Sequence, residues 1–224
     1  MMKNIILQHW SGNLSLLTKY SMEAYKEYAS RIGAEYYMVR GNAFRETGYD
    51  APCQKMCMLN EEFDKYDTVL MVDCDQLPVK GLMKNVFDVP GVGIFTEWIK
   101  THAYARIQKT HPHLFSPNHP YFSGSFYKLD RRTRIEMRSS IVEKEISQFS
   151  KMYHDEGIMH RLATLVDLPL EESIIDSSWS QCSYYPITKE TKMVHIRPKI
   201  EPRNDSPRRP KLDTYDILKL KGIF

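Results

Sequence analysis

Residues 66–79 read YDTVLMVDCDQLPV. Thr68 to Val72 is a short apolar, β-branched run bounded by polar residues, the pattern of a buried strand in a parallel or mixed sheet. Two aspartates, Asp73 and Asp75, follow it one residue apart. In an open α/β sheet ligands bind in the crevice beyond the carboxyl ends of the strands, so both carboxylates fall where a ligand would sit. Close carboxylates repel each other unless a cation or a proton lies between them. A divalent metal is the natural third party, and in a cation-free protein replacing Asp75 is expected to relieve that repulsion. Taken alone, the same residues also suit a plain turn, because Asp favours turns and Pro78 follows.

Working outward, residues 4–7 form an apolar strand, and the polar stretch 8–13 a turn in which Ser11 or Asn13 can cap a helix. Leu17, Tyr20, Ala24, Tyr28 and Ile32 recur at helical spacing, so residues 14–32 are an amphipathic helix that Gly33 stops. Residues 35–40 (EYYMVR) are a second strand, which completes a βαβ unit. A helix from Pro52 buries Met56, Leu59 and Phe63 and leads into the D-x-D strand. Further strands are expected at 92–95, 121–129 and 192–196. Helices are expected at 130–149, with Ile135, Val142 and Ile146 inward, and at 155–165. Residues 101–120 are rich in His and Pro and read as irregular. Residues 197–211 hold four of the 12 prolines and six basic residues, and read as a linker or surface-hugging tail before a short docking helix.

The chain has 224 residues, 42% of them hydrophobic and 26% charged, as in a globular protein able to build a core without disulfides. The four cysteines, Cys53, Cys57, Cys74 and Cys182, make no C-x-x-C pair and point to reduced thiols in a cytoplasmic protein. No stretch approaches the roughly 20 apolar residues of a membrane span. A net charge of +3 is too small for a nucleic-acid-binding domain.

Several separated motifs share an order and spacing that resemble one family, the GT-A glycosyltransferases, in particular retaining ones such as glycogenin and the xyloglucan xylosyltransferases. The resemblance runs from Ile5 to about Lys199. It implies an α/β fold of GT-A (Rossmann-like) type, a mixed, mostly parallel central sheet flanked by helices, over residues 1–200, with 201–224 as a proline-rich basic tail. The D-x-D supplies Asp73 towards ribose and metal and Asp75 on the metal, with Cys74 against the donor. The cation implied is Mn2+, or Mg2+. KMVHIRPK (192–199) resembles V-V-H-F-x-G-x-x-K-P-W, which makes His195 the third metal ligand and Lys199 the diphosphate lysine. Arg197 and Pro198 stand where that motif has its glycine. Apart from the resemblance, a histidine on an apolar strand also suits a core position. Lys55, in QKMCML, matches a lysine that reaches the donor, and would otherwise be a solvated helix residue. SGSF (123–126) resembles N-x-G-S-F, with Ser123 and Gly124 close to the transferred sugar and Phe122 at the asparagine position. HDEG (154–157) resembles D-Q-G, so that Asp155 faces the anomeric centre; the same carboxylate also suits a helix N-cap. His9 and Trp10 match residues that embrace base and ribose.

The function implied is metal-dependent transfer of a sugar from a UDP-sugar to a glycan, glycoprotein or other hydroxyl acceptor, with retention of configuration. Three alternatives stay open: an inverting enzyme with Glu97 as base, an inactive glycan- or nucleotide-sugar-binding module, and a haloacid-dehalogenase-type phosphatase, which also uses D-x-D but needs a later acidic pair on a strand end. The chain is also loosely similar to the soluble glycosyltransferases of bacteria and large DNA viruses.

Overall fold

The computed structural model describes residues 2–44, 49–95, 115–150, 154–201 and 205–224, together with positions 102, 105, 108, 109 and 112. Its strands are β1 (Asn4–Trp10), β2 (Glu35–Arg40), β3 (Thr68–Val72), β4 (Gln76–Pro78), β5 (Gly93–Ile94), β6 (Phe126–Asp130), β7 (Ile174–Ile175), β8 (Gln181–Cys182) and β9 (Met193–His195). Six of them form the central sheet, in the order β2-β1-β3-β6-β5-β7. The β1/β2, β1/β3 and β5/β7 pairs are parallel and β6 is antiparallel to both its neighbours, so β6 alone runs against the rest. The mixed, mostly parallel GT-A sheet is therefore present.

Helix α1 (Leu16–Ile32) is capped by Ser15, whose hydroxyl accepts the Thr18 N–H, and not by Ser11 or Asn13. It ends at Gly33, which adopts φ +70°, a conformation that costs glycine little. Tyr25, Tyr28 and Ala29 lie against Ile6, Leu70 and Phe126 on one face of the sheet. On the other face pack the 3-10 segment Ala51–Leu59 and helices α2 (Arg131–Ser139), α3 (Glu143–Ser150) and α4 (Asp155–Leu165). Met56, Leu59, Met137, Ile158 and Leu162 fill that layer. Burying a side chain of this size contributes roughly 1.5–3 kcal/mol.

The elements depart from expectation in four places. β1 continues through Gln8, His9 and Trp10, because the buried Gln8 is satisfied by three partners: it donates to Ser21 Oγ (2.8 Å) and the Asp73 carbonyl (3.1 Å) and accepts from Tyr36 Oη (2.8 Å). The segment after Pro52 winds as a 3-10 helix. The helix expected over 130–149 breaks at Ser140, and the change of phase leaves Ile135 and Val142 exposed while Ile146 is buried. Finally, the strand expected over 121–129 begins only at Phe126, after the backbone turn at Gly124.

A smaller sheet joins the other three strands in the order β4-β9-β8. After β9 the proline-rich segment folds back on itself. Lys199 bridges Arg208, the Ile200 N–H donates to the Pro207 carbonyl (3.2 Å), and the Arg209 N–H donates to the Pro198 carbonyl (2.7 Å). This hairpin delivers helix α5 (Lys211–Leu220), whose Tyr215 and Leu218 pack on Leu17, Leu77, Val194 and Ile196. Tyr215 also stacks on Tyr20, with ring centroids 4.8 Å apart. No helix among the described residues is long and apolar enough to cross a membrane.

Candidate active site

The parallel strands β1 and β3 end at the same edge of the sheet, and β6, running the other way, begins there. Register fixes what meets: Val72 lies opposite Phe126, and the Asp73 N–H donates to the Ser125 carbonyl (3.1 Å). Ser123-Gly124-Ser125 is thus held beside the D-x-D. From the second sheet, Gln76 lies opposite His195, and the Ile196 N–H donates to the Asp75 carbonyl (2.8 Å). A pairing of β4 with β9, remote from it in sequence, therefore turns His195 onto the carboxylates. Its Nε2 lies 3.3 Å from Asp75 Oδ1 and 3.9 Å from Asp73 Oδ2.

These three residues offer ligand atoms within 4.8 Å of one another. Two carboxylates and an imidazole suit an oxygen- and nitrogen-loving octahedral cation such as Mn2+ or Mg2+. Asp75 Oδ1 is buried with no hydrogen bond of good geometry, a lone pair that a cation would use. The residues present fit the cation. Burial works against the charge on each partner. The His195 imidazole is nonetheless pushed up to about 9 by Asp75, and Asp75 is held well below the usual carboxylate range by His195 and Lys211. Lys211, from the start of α5, donates to Asp75 Oδ2. Asp75 is therefore already matched by His195 and Lys211, which argues against the expectation that removing Asp75 would relieve the fold.

Lys55 is the second hub. Its ammonium reaches Asp73 Oδ1 (2.7 Å), Asp155 Oδ2 (2.8 Å) and the Gly124 carbonyl (2.6 Å). An ammonium has three N–H donors, and these partners use all of them. Burial disfavours its charge, but Asp155 and Asp73 outweigh burial and hold the lysine well above its ordinary range. Lys55 thus positions the two carboxylates. Asp155 opens α4, where a negative charge meets the positive end of the helix. It accepts from Tyr127 Oη as well (2.9 Å), and burial raises its pKa against the pull of Lys55. The residue before it, His154, has φ +53° and ψ −122°, strained backbone at the point that aims Asp155. A Cβ on Gly124 would lie 2.6 Å from Asp155 Oδ2, so glycine is required there by the close approach of that carboxylate.

These groups line a cavity of about 810 Å3, within the range of small-molecule sites. The cavity brings together His9, Trp10, Lys55, Cys74, Ser123 and Gly124 with the Asp73, Asp75, Asp155 and His195 cluster. His9 is itself engaged, its Nε2 2.6 Å from the Gly41 carbonyl, and the Trp10 indole N–H donates to the Asn13 carbonyl (2.9 Å). Lys199 is not among the lining residues. Glu97 lies outside the described residues. Three charged lining residues were not singled out as site residues by sequence: Glu156, Arg197 and Lys211. Glu156 stands next to a chosen residue. Arg197 and Lys211 stand in a segment with the composition of a tail.

Glu156 yields a test of this geometry. Its Oε1 accepts the Gly124 N–H (2.8 Å), yet burial, then Asp155, pushes its carboxyl up to about 7. Between an unfolded value near 4.5 and this folded value the native protein keeps a proton that the unfolded chain has lost. Stability therefore falls as pH rises through that window. Each tenfold change in proton affinity is worth about 1.4 kcal/mol, so the full cost is on the order of 3 kcal/mol. Glu156→Gln is expected to melt above wild type at pH 8 and level with it near pH 4.5. An equal offset at both pH values would show that Glu156 is not held protonated.

No family model matches the sequence, and no curated protein matches it. Solved structures do resemble the fold. A glycosyltransferase involved in the glycosylation of the major capsid of PBCV-1 superposes with a TM-score of 0.59 at 12% identity, covering 97% of this chain and 99% of that one. The galactosyltransferase LgtC, solved with donor and acceptor sugar analogues, superposes with a TM-score of 0.54 at 12% identity, covering 96% and 95%. The fold is that of GT-A glycosyltransferases over nearly the whole chain.

Proposed function

We propose that this chain is a divalent-cation-dependent glycosyltransferase that moves a sugar from a UDP-sugar to a glycan or glycoprotein hydroxyl with retention of configuration. The observation that carries the reading is the convergence of Asp73, Asp75 and His195 beside the Lys55–Asp155 pair, in one cavity at the strand ends of a GT-A sheet. The structural neighbours, a capsid-glycosylating enzyme and a galactosyltransferase, support a sugar donor and a glycan acceptor. The four free cysteines suit a cytoplasmic setting. The phosphatase alternative fares worse, since Asp155 and Glu156 stand at a helix start and not on a strand end.

A sugar nucleotide leaves poorly unless the negative charge developing on its diphosphate is neutralised, and a cation held by Asp73, Asp75 and His195 would supply that neutralisation. The protein's own contribution is placement. The β4/β9 ladder fixes His195 against Asp75. Lys55 fixes Asp73 relative to Asp155, so the metal-binding carboxylate and the carboxylate facing the sugar move as one unit. The Ser123–Ser125 turn brings backbone close to the sugar. Trp10, Leu16 and Leu212 add apolar surface to the cavity wall.

The direct test is calorimetry of UDP with Mn2+ and with excess chelator. UDP is expected to bind with Mn2+ and to lose about tenfold or more in affinity under chelator, one ligand's share of a coupled site. Undiminished binding under chelator would remove the cation from the reading.

A further inference from the structure

Lys211 reaches Asp75 from a helix 136 residues away in sequence, and both residues line the cavity. The cluster's charge balance makes this contact informative. Asp73 and Asp155 share Lys55, while Asp75 is matched by His195 and Lys211. The carboxylate that a cation needs thus already carries an ammonium on Oδ2. The two lysines differ in freedom. The Lys55 side chain is 10% exposed with all three N–H groups committed, whereas the Lys211 side chain is 38% exposed on a flexible stem. Lys211 can leave Asp75 for another anion; Lys55 cannot leave without stranding the buried Asp155 and the half-buried Asp73. Arg197 also lines the cavity, so an anion arriving there meets two basic side chains.

We infer that Lys211 is a movable counter-charge that couples cation binding to diphosphate binding. It neutralises Asp75 while no cation is bound, and turns to the donor's diphosphate once cation and nucleotide are both in place. The inference rests on the sugar-nucleotide reading above for its second half only. It assigns the diphosphate contact to Lys211, which lines the cavity, and not to Lys199, which is not among the lining residues. Two consequences follow from charge alone. A cation binding by itself must displace the ammonium and so binds weakly. A cation binding together with a diphosphate gives the displaced ammonium a new partner, so each ligand strengthens the other.

The test is calorimetry of wild type, Lys211→Met and Arg208→Gln with MnCl2 alone, and with UDP at saturating MnCl2. Lys211→Met keeps the apolar stem, and Arg208→Gln removes the same charge from the same hairpin away from the cavity. Lys211→Met should bind Mn2+ alone about fivefold or more tighter than wild type and UDP with Mn2+ about fivefold or more weaker, the size of a modest coupling. Arg208→Gln should match wild type in both. Mn2+ binding to Lys211→Met that is equal to or weaker than wild type overturns the counter-charge. UDP binding unchanged in Lys211→Met overturns the diphosphate contact. If wild type binds Mn2+ but no UDP, the sugar-nucleotide reading fails, and the Mn2+ titrations still decide the first half. Lys211→Gln repeats the test if the Met variant melts early.

Discussion

Asp75→Asn is expected to lose turnover by at least about a hundredfold, the usual cost of removing one preorganised electrostatic contact, and to lose the effect of Mn2+ on UDP binding. Asparagine keeps the shape and one acceptor oxygen but not the charge that a divalent cation requires. Two cations depend on that charge in the free protein. The His195 imidazole faces it at 3.3 Å, and Lys211 donates to it. Removing one member of a buried pair leaves the other uncompensated, so the variant is expected to melt below wild type at pH 7. The sign follows from the depressed pKa of Asp75. A carboxylate held below its ordinary value near 3.8 contributes stability above that pH and loses it as pH falls, so the deficit of Asp75→Asn should shrink in acid. Far-UV circular dichroism at pH 7 separates a folded, inactive variant from an unfolded one. Turnover within about tenfold of wild type, with Mn2+ dependence kept, would take Asp75 out of the cation site.

The sequence made β3 and its two aspartates legible because both signals are local. An apolar β-branched run has few other uses, and the D-x-D sits at its end. The same holds for α1, whose helical spacing and terminal glycine all lie within one short stretch of chain. What was hidden depends on partners far away. Gln8 reads as a turn residue until Ser21, Tyr36 and the Asp73 carbonyl are placed around it. The break after Ser139 is invisible in a charged segment whose apolar residues fit a continuous helix. The role of Lys211 is least legible. It follows a proline-rich basic run with the composition of a solvated tail, and only the Lys199–Arg208 ladder and the docking of Tyr215 and Leu218 carry it to Asp75. Lys55 shows a subtler limit. Its position was readable, but not that three acceptors would use every N–H and make it a positioning residue.

Asp155→Ala is expected to cut turnover by about two to three orders of magnitude, and Asp155 is also where the stereochemical proposal is decided. An inverting transferase needs a carboxylate placed to take the acceptor's proton. Among the described residues, the carboxylates lining the cavity are Asp73, Asp75, Asp155 and Glu156. The first two belong to the proposed cation site. Asp155 is buried and accepts from Lys55 and Tyr127, and Glu156 accepts the Gly124 N–H. Held by Lys55 and Tyr127, Asp155 is suited to a fixed charge that orients the sugar or stabilises positive charge building at the anomeric carbon, and poorly suited to meet an acceptor and carry off a proton. In a retaining reaction the leaving phosphate can take that proton, so no separate base is needed. An α-linked UDP-sugar should then give an α-linked first product, read by proton NMR from the anomeric coupling. Asp155→Asn keeps an acceptor for Lys55 and Tyr127 and should remain folded, yet be nearly as inactive as Asp155→Ala, because what is lost is charge. Glu97→Gln should lose far less. An inverted product together with an inactive Glu97→Gln would transfer the catalytic role from Asp155 to Glu97 and leave Lys55–Asp155 as a structural pair.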